Sequence, residues 1–391
     1  MPDNKKNPYF CAMAGIYIHI PFCKSKCAYC NFFSVATDKQ RADFLDALRK
    51  ETVIRKSYIN NEEVKTVYFG GGTPSLLKPD EIQSVLDVLH ENFDISGDAE
   101  ITLEANPDTV SKELLKDFNT VGINRLSVGI QSFHDDDLQY LSRKHDSKHA
   151  LQVLDWANET GFQEVTMDLI YGIPTLTEEK WARNLDVFFS KGLNHLSAYA
   201  LTIEPKTALG QRIGRGTAAP VDEDATVRHY EMLVERAENE GFEHYEISNF
   251  AKPGHHSRHN RSYWTGDRYL GLGPSAHSFD GVSRQWNVAN VTEYCKLINE
   301  FPNSLKMSWF EKEILTSDDR YNEYVMTSLR TCWGCDTEAI SRIFGEKYRI
   351  YFEKNIVPYL RDGRLVRKGS CYALTEQGML FADGIAAELF V

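Results

Sequence analysis

The chain lacks any apolar run of the roughly 18 residues needed to cross a bilayer, so no transmembrane helix is expected. It also lacks excess basic charge: 44 Lys and Arg stand against 56 Asp and Glu, a formal net charge of -12. That balance repels polyanions and argues against a nucleic-acid partner. Cysteine is sparse, with 8 in 391 residues, and a disulfide framework belongs to small secreted chains. No repeat or low-complexity tract occurs. With 42% hydrophobic and 26% charged residues, the composition excludes a disordered or fibrous chain. At about 150 residues per domain, two to three domains are expected. The opening MPDNKKNPYFCAMAGIYIHIPFC has no long apolar stretch before a cleavage site, so a cytoplasmic location is expected.

What cysteine there is, is clustered. Cys23, Cys27 and Cys30 follow one another as C-x3-C-x2-C. Three thiolates on one loop suit three corners of a cubic iron–sulfur cluster, leaving one iron open. A structural zinc needs four closed ligands. His19 is a candidate fourth, but it sits in the alternating run IYIHIP and is expected to line the site. Gly15 to Ile20 has the pattern of a strand that Pro21 ends, with Tyr29 between the later thiols.

On these residues, YIHIPFCKSKCAYCNFFS, the chain resembles the radical S-adenosylmethionine superfamily. Within it the resemblance is to the group containing oxygen-independent coproporphyrinogen III oxidase and the haem chaperone HemW. A [4Fe-4S] cluster on Cys23, Cys27 and Cys30 and bound S-adenosylmethionine are what the resemblance implies.

Periodicity adds a fold. Helical spacing over 41–58, 81–90, 111–118, 149–160 and 177–189 alternates with strand patterns at 64–69, 100–104, 125–130, 164–169 and 195–201. Such alternation implies a parallel sheet, and six units are too few for a closed eight-stranded barrel. We therefore expect an α/β fold, a partial (β/α)6 parallel barrel of radical S-adenosylmethionine type, over residues 1–210. Residues 210–220 read as an irregular, mobile connection. A helical and irregular extension is expected over 211–304, with a long helix at 222–240 and little periodicity over 242–290. A winged-helix-like α+β domain is expected over 305–391, with helices at 322–329, 337–344 and 348–361 before a hairpin.

Ligands of parallel α/β folds bind at the carboxyl ends of the strands. There the chain places Gly70, Gly71, Gly72 and Thr73, then Glu104, Gln131, Asp168 and Ala200. By resemblance, Tyr17, Gly71, Thr73 and Glu104 would contact one S-adenosylmethionine, with Gly72 in the run that meets its methionine end. Tyr29, Gln131, Arg143, Asp168 and Ala200 match positions that contact a second in the oxidase. The chemistry implied is reductive cleavage of the sulfonium.

Two features favour the haem-chaperone branch. The oxidase carries a further cysteine two residues after the third; here that position is Phe32. His259-Asn260-Arg261-Ser262-Tyr263-Trp264 matches the HNxxYW motif of the chaperones. A neutral imidazole suits haem iron, aromatic rings suit a porphyrin face, and Arg258 and Arg261 suit propionates. Haem and acceptor haemoproteins are thus the expected partners, with His259, Asn260, Tyr263 and Trp264 at the haem. Gly271, Gly273 and His277 either shape that site or turn the chain. The alternative activity is decarboxylation of coproporphyrinogen III or a related tetrapyrrole. A third reading, DNA binding through Arg361, Arg364, Arg367 and Lys368, is disfavoured by the net charge. A homodimer and peripheral membrane contact are left open. Cys332 and Cys335, a second C-x2-C, read as two ordinary thiols, and Cys11, Cys295 and Cys371 carry no assigned role.

Overall fold

The computed structural model describes residues 14–301 and 308–391; Cys11 and the division at 304/305 lie outside them. Six strands alternate with helices: β1 (Ala14–Ile20), α1 (Arg41–Ile54), β2 (Val64–Gly71), α2 (Pro79–Asn92), β3 (Ile95–Ala105), α3 (Lys112–Thr120), β4 (Arg125–Gln131), α4 (Asp135–Tyr140), α5 (Ser147–Glu159), β5 (Glu164–Tyr171), α6 (Glu178–Ser190) and β6 (His195–Ala200). The strands pair in parallel in chain order. Helix starts follow cap chemistry. Ser111, Asp146 and Thr177 accept the backbone N–H of Leu114, His149 and Lys180, one orphan donor at each end.

Successive strand side chains alternate between faces. Ile16 and Ile18, Val67 and Phe69, Leu126 and Val128, and Met167 and Leu169 are fully buried in the main core with Phe44, Leu48 and Leu86 of the helices. The intervening positions, among them Tyr17, Tyr68, Glu104, Ser127, Asp168 and Ser197, line one cavity. Burial on one face thus fixes which side chains the other presents.

Residues beyond β6 differ from the expectation. The first half of the segment read as an irregular connection belongs to α7 (Ala208–Gly214), capped by Thr207, while 215–220 is irregular as expected; Leu209 N–H donates to Ala28 O at 2.8 Å. After α8 (Glu223–Asn239) come β7 (Glu243–Glu246), β8 (Asn249–Ala251), α9 (Arg258–Thr265), β9 (Arg268–Leu272), β10 (His277–Phe279), β11 (Ser283–Asn287), α10 (Val291–Glu300) and β12 (Phe310–Ile314). These strands extend the sheet at both ends. β8 pairs antiparallel with β6, and β9 pairs parallel with β1. At three to five residues each, they are too short to show a period. Gly271 and Gly273 serve this turn of the chain. A side chain at either would strike the backbone oxygen of His277 or His19.

The remaining residues form α11 (Ser317–Leu329), β13 (Cys335–Asp336), α12 (Thr337–Phe344), α13 (Glu346–Asn355), α14 (Val357–Arg361), β14 (Leu365–Lys368), β15 (Cys371–Leu374), α15 (Glu376–Met379) and α16 (Ala382–Glu388). A small antiparallel sheet in the order β13-β15-β14 completes them. The single helix expected over 348–361 is broken at Ile356, two residues before Pro358, whose ring cannot continue the hydrogen-bond ladder. Arg364, in the basic cluster, pairs with Asp362 and lies over Tyr359.

Two buried carboxylates tie distant segments together. Glu51 on α1 is 0% exposed. It accepts from Gly273 N at 2.8 Å, Asn287 Nδ2 at 2.8 Å, Tyr294 O–H at 2.6 Å and Trp309 Nε1 at 3.0 Å, with Arg55 Nη1 3.7 Å away. Glu100 on β3 does the same for α9. It accepts from the backbone N–H of Arg258 and His259 at 3.0 and 2.9 Å and from Ser257 Oγ at 3.3 Å, and lies 3.5 Å from Arg125. A carboxylate at a helix N-terminus also meets the positive end of the helix dipole. Through Glu100, α9 is held against the lower end of the barrel interior. Glu51→Ala would strand Arg55 and four donors in the core, and is expected to cost about 3–5 kcal/mol in urea unfolding.

Candidate cofactor site

The thiol loop is pinned on both flanks. Cys23 N–H donates to Val35 O at 3.0 Å, Val35 N–H to Pro21 O at 2.8 Å and Ala28 N–H to Leu141 O at 3.1 Å. His19, expected to line the site, braces the loop instead. Its Nε2 is 2.9 Å from Phe33 O and its Nδ1 is 3.1 Å from the Tyr17 hydroxyl. Cys23, Cys27 and Cys30 are free thiols that line a cavity of about 710 Å³.

Donors reach two of the sulfurs. Thr73 Oγ1 donates to Cys23 Sγ at 3.5 Å, and Arg143 Nη1 to Cys27 Sγ at 3.5 Å. Arg143 Nη2 donates to Gly129 O at 2.6 Å and Asn106 Oδ1 at 2.9 Å, and Asn106 Nδ2 donates to Thr73 at 3.1 Å. The guanidinium, the amide and the hydroxyl thus form one frame around the thiols. Burial pushes the Cys30 thiol up, so metal binding there would release a proton.

The glycine run serves the protein's own packing. Gly71 has φ +110°, and a side chain there would strike the His19 ring at 2.6 Å. At Gly72 it would meet Phe22 O at 2.7 Å and Cys23 Sγ at 3.1 Å. Only glycine lets the loop after β2 pass this close to the thiols.

Two carboxyl groups face the cavity. Glu104 accepts from Tyr68 O–H at 2.8 Å and Gly71 N–H at 3.2 Å; burial, helped by nearby Asp168, pushes it up to about 7. Asp168 accepts from Ser127 Oγ at 3.0 Å, and burial pushes it up to about 6. Both would be relieved by a cationic ligand. Gln131 also lines the wall, at φ +69°, where a bulge interrupts the pairing of β4 with β5. A non-glycine residue in this region is uncommon, and such residues cluster at functional sites.

The HNRSYW stretch splits. His259, Asn260 and Tyr263 join the cavity wall, but Trp264 does not; the Arg330 guanidinium lies 5.5 Å over its ring. His259 stacks on Tyr68 at 4.8 Å. Its Nδ1 is 2.8 Å from Thr66 Oγ1 and its Nε2 is 3.0 Å from the Tyr263 hydroxyl, so both ring nitrogens are engaged. Burial pulls it down to about 3, which keeps the ring neutral. Arg258 pairs with Asp98 and Arg261 lies over Trp333, so neither arginine lines the cavity. His277 is exposed beside Trp286 and is likewise outside the wall. From the strand ends and the thiol loop, Tyr17, Tyr29, Gly71, Gly72, Thr73, Glu104, Gln131, Arg143, Asp168 and Ala200 lie on it, whereas Gly70 packs behind the Tyr17 and Tyr68 rings. Tyr68 and Ser197 were not singled out. Their signal is strand alternation, since each shares a face with a neighbouring polar or glycine position. Cys335 is buried in the C-terminal core and its Sγ faces Val325 O at 3.8 Å.

A thiol loop and internal carboxyl groups thus share one cavity of the parallel sheet. The Radical SAM superfamily model matches residues 17–188, and the HemN C-terminal domain model matches 315–381. A protein of Mycobacterium tuberculosis named heme chaperone HemW is 34% identical over 96% of this chain and 94% of its own. Its Bacillus subtilis namesake is 32% identical over 95% and 98%. The Escherichia coli one is 37% identical over 96% and 98%. The solved coproporphyrinogen III oxidase (HemN) of Escherichia coli, described as a radical SAM enzyme, superposes with TM-score 0.83 at 26% identity, covering 97% of this chain and 90% of its own. The chain belongs to the HemW family of the radical SAM superfamily.

A carboxyl held up in the folded state binds its proton more tightly than in the unfolded chain. Stability of the ligand-free protein should therefore fall as pH rises from about 4.5 to about 7, through the window Glu104 sets. Glu104→Gln should flatten that slope, read as urea midpoints on either side of the window.

Proposed function

We propose that this protein is a haem chaperone that carries a [4Fe-4S] cluster on Cys23, Cys27 and Cys30, binds S-adenosylmethionine in the adjoining cavity, and delivers haem to acceptor haemoproteins. The observation that carries the reading is the single cavity shared by the three free thiols and two half-buried carboxyl groups. Likeness over nearly the whole chain to proteins named heme chaperone HemW supplies the cargo.

The residues fit the cofactors. Thr73 and Arg143 already donate to two sulfurs, as thiolate ligands of an iron cluster require. Glu104 and Asp168 suit the ammonium and sulfonium charges of S-adenosylmethionine. When bound, cluster and nucleotide together supply reductive cleavage chemistry. This chain's own part is to orient the nucleotide through Glu104, Tyr68 and Gly71, and to keep water out by packing α9 under the cavity. The fully engaged His259 supports a wall role in place of iron ligation. No described helix is long and apolar enough to cross a membrane. We place the protein in the cytoplasm, where reduced thiols persist.

Reconstitution without air should load about four irons and four sulfides per chain, and the Cys23/Cys27/Cys30→Ala triple variant none. Haem titration should shift the Soret band, and His259→Ala should keep that shift; a protein that leaves the haem spectrum unchanged is not a haem carrier. The oxidase likeness sustains one second reading, tetrapyrrole decarboxylation. Protoporphyrinogen formed from coproporphyrinogen under reducing, anaerobic conditions would favour it.

A further inference from the structure

The two faces of α9 have different neighbours. His259, Asn260 and Tyr263 turn inward and line the cavity, while Arg261 and Trp264 share the outward face. That face meets the turn between α11 and β13. The Arg330 guanidinium lies over the Trp264 ring at 5.5 Å, and the Arg261 guanidinium lies over the Trp333 ring at 5.1 Å. Each side thus supplies one cation and one ring to the other. The Nε atoms of both arginines are buried without a hydrogen-bond partner. Attraction between a cation and a ring face strengthens where water is kept out.

The turn is itself held from two sides. Cys332 N–H donates to Tyr245 O at 3.1 Å, and Ile247 N–H donates to Arg330 O at 3.0 Å. Arg330 also pairs with Asp383 on α16. Gly334 has φ +69°, and a side chain there would strike Tyr372 O on β15. A helix of eight residues has little stability of its own, so its neighbours set where it lies. Glu100 takes the amino end of α9, and the crossed Arg–Trp pairs hold its outer face. From α9 the contacts run on into the cavity. The Tyr263 hydroxyl is 3.0 Å from His259 Nε2, His259 stacks on Tyr68 at 4.8 Å, and Tyr68 O–H donates to Glu104 at 2.8 Å.

We propose that Arg330 and Trp333 are positioning residues for the cofactor cavity, holding its α9 wall from outside through Trp264 and Arg261. The C-terminal domain thereby sets nucleotide affinity without touching the nucleotide, since neither residue lies on the cavity wall. The inference rests on the functional reading above in one respect, that S-adenosylmethionine is what the cavity holds.

The test is calorimetric titration of the full, cluster-loaded chain with S-adenosylmethionine, with iron per chain and the urea midpoint measured alongside. Arg330→Ala and Trp333→Ala should each weaken binding roughly threefold or more at unchanged iron content, within the range that coupling through packed side chains spans. Arg330→Lys keeps a cation over Trp264 and should bind as the natural protein does. Trp264→Ala combined with Arg330→Ala should weaken binding no further than either alone, because the two side chains form one contact. Arg330→Gln keeps the length of the side chain and loses the charge, and it decides the matter should Arg330→Ala unfold. A lowered urea midpoint with unchanged affinity marks the contacts as purely structural and overturns the proposal, as does a fully additive loss in the double variant. No binding by the natural protein overturns the functional reading, and the positioning role with it.

Discussion

The carboxylate of Glu100 holds the site together. An open sheet of parallel strands leaves its interior exposed below the ligand, and polar groups left there without partners would be costly. Glu100 answers by taking the amino end of α9, two backbone amides and a serine hydroxyl, while Arg125 balances its charge. That contact sets the position of His259, which in turn sets Tyr68 by stacking, and Tyr68 holds Glu104. From the floor to the ligand-facing carboxyl the chain of contacts is unbroken.

Above this floor the cavity is an exercise in counting donors. Arg143, Asn106 and Thr73 share hydrogens between backbone, amide and sulfur. Glu104 takes donors from Tyr68 and Gly71 and Asp168 from Ser127, and burial raises both groups above the usual carboxyl range. The pocket thus joins three thiols and two carboxyl groups of raised pKa, a setting that a positively charged ligand would relieve.

Much of this was legible in the residues alone. The six strands and the helices between them, α4 excepted, follow from regular periodicity, and the rule that ligands gather at strand ends picked out Gly71, Gly72, Thr73, Glu104, Gln131, Asp168 and Ala200 on the cavity wall. Where side-chain direction depends on the phase of one short helix, spacing was silent. Trp264 and Arg261 share a motif with His259, and Arg258 precedes it, yet all three turn away from the cavity, because Glu100 fixes the rotation of α9. Glu51 looks like an ordinary charge on an amphipathic helix. Its partners lie 222 to 258 residues further along, and no local pattern announces them. The strands over 242–290 are too brief to show a period.

The pairing of β1 with β9, and the hydrogen bond spanning 193 residues between Thr66 and His259, also bear on how the molecule is born. Contacts so distant along the chain form late. A nascent chain emerges from the ribosome amino end first, so the thiol loop meets solvent well before the segment that seals the pocket beneath it has been made. The vessel is therefore closed from its base by the later half of the chain, around a thiol loop already made.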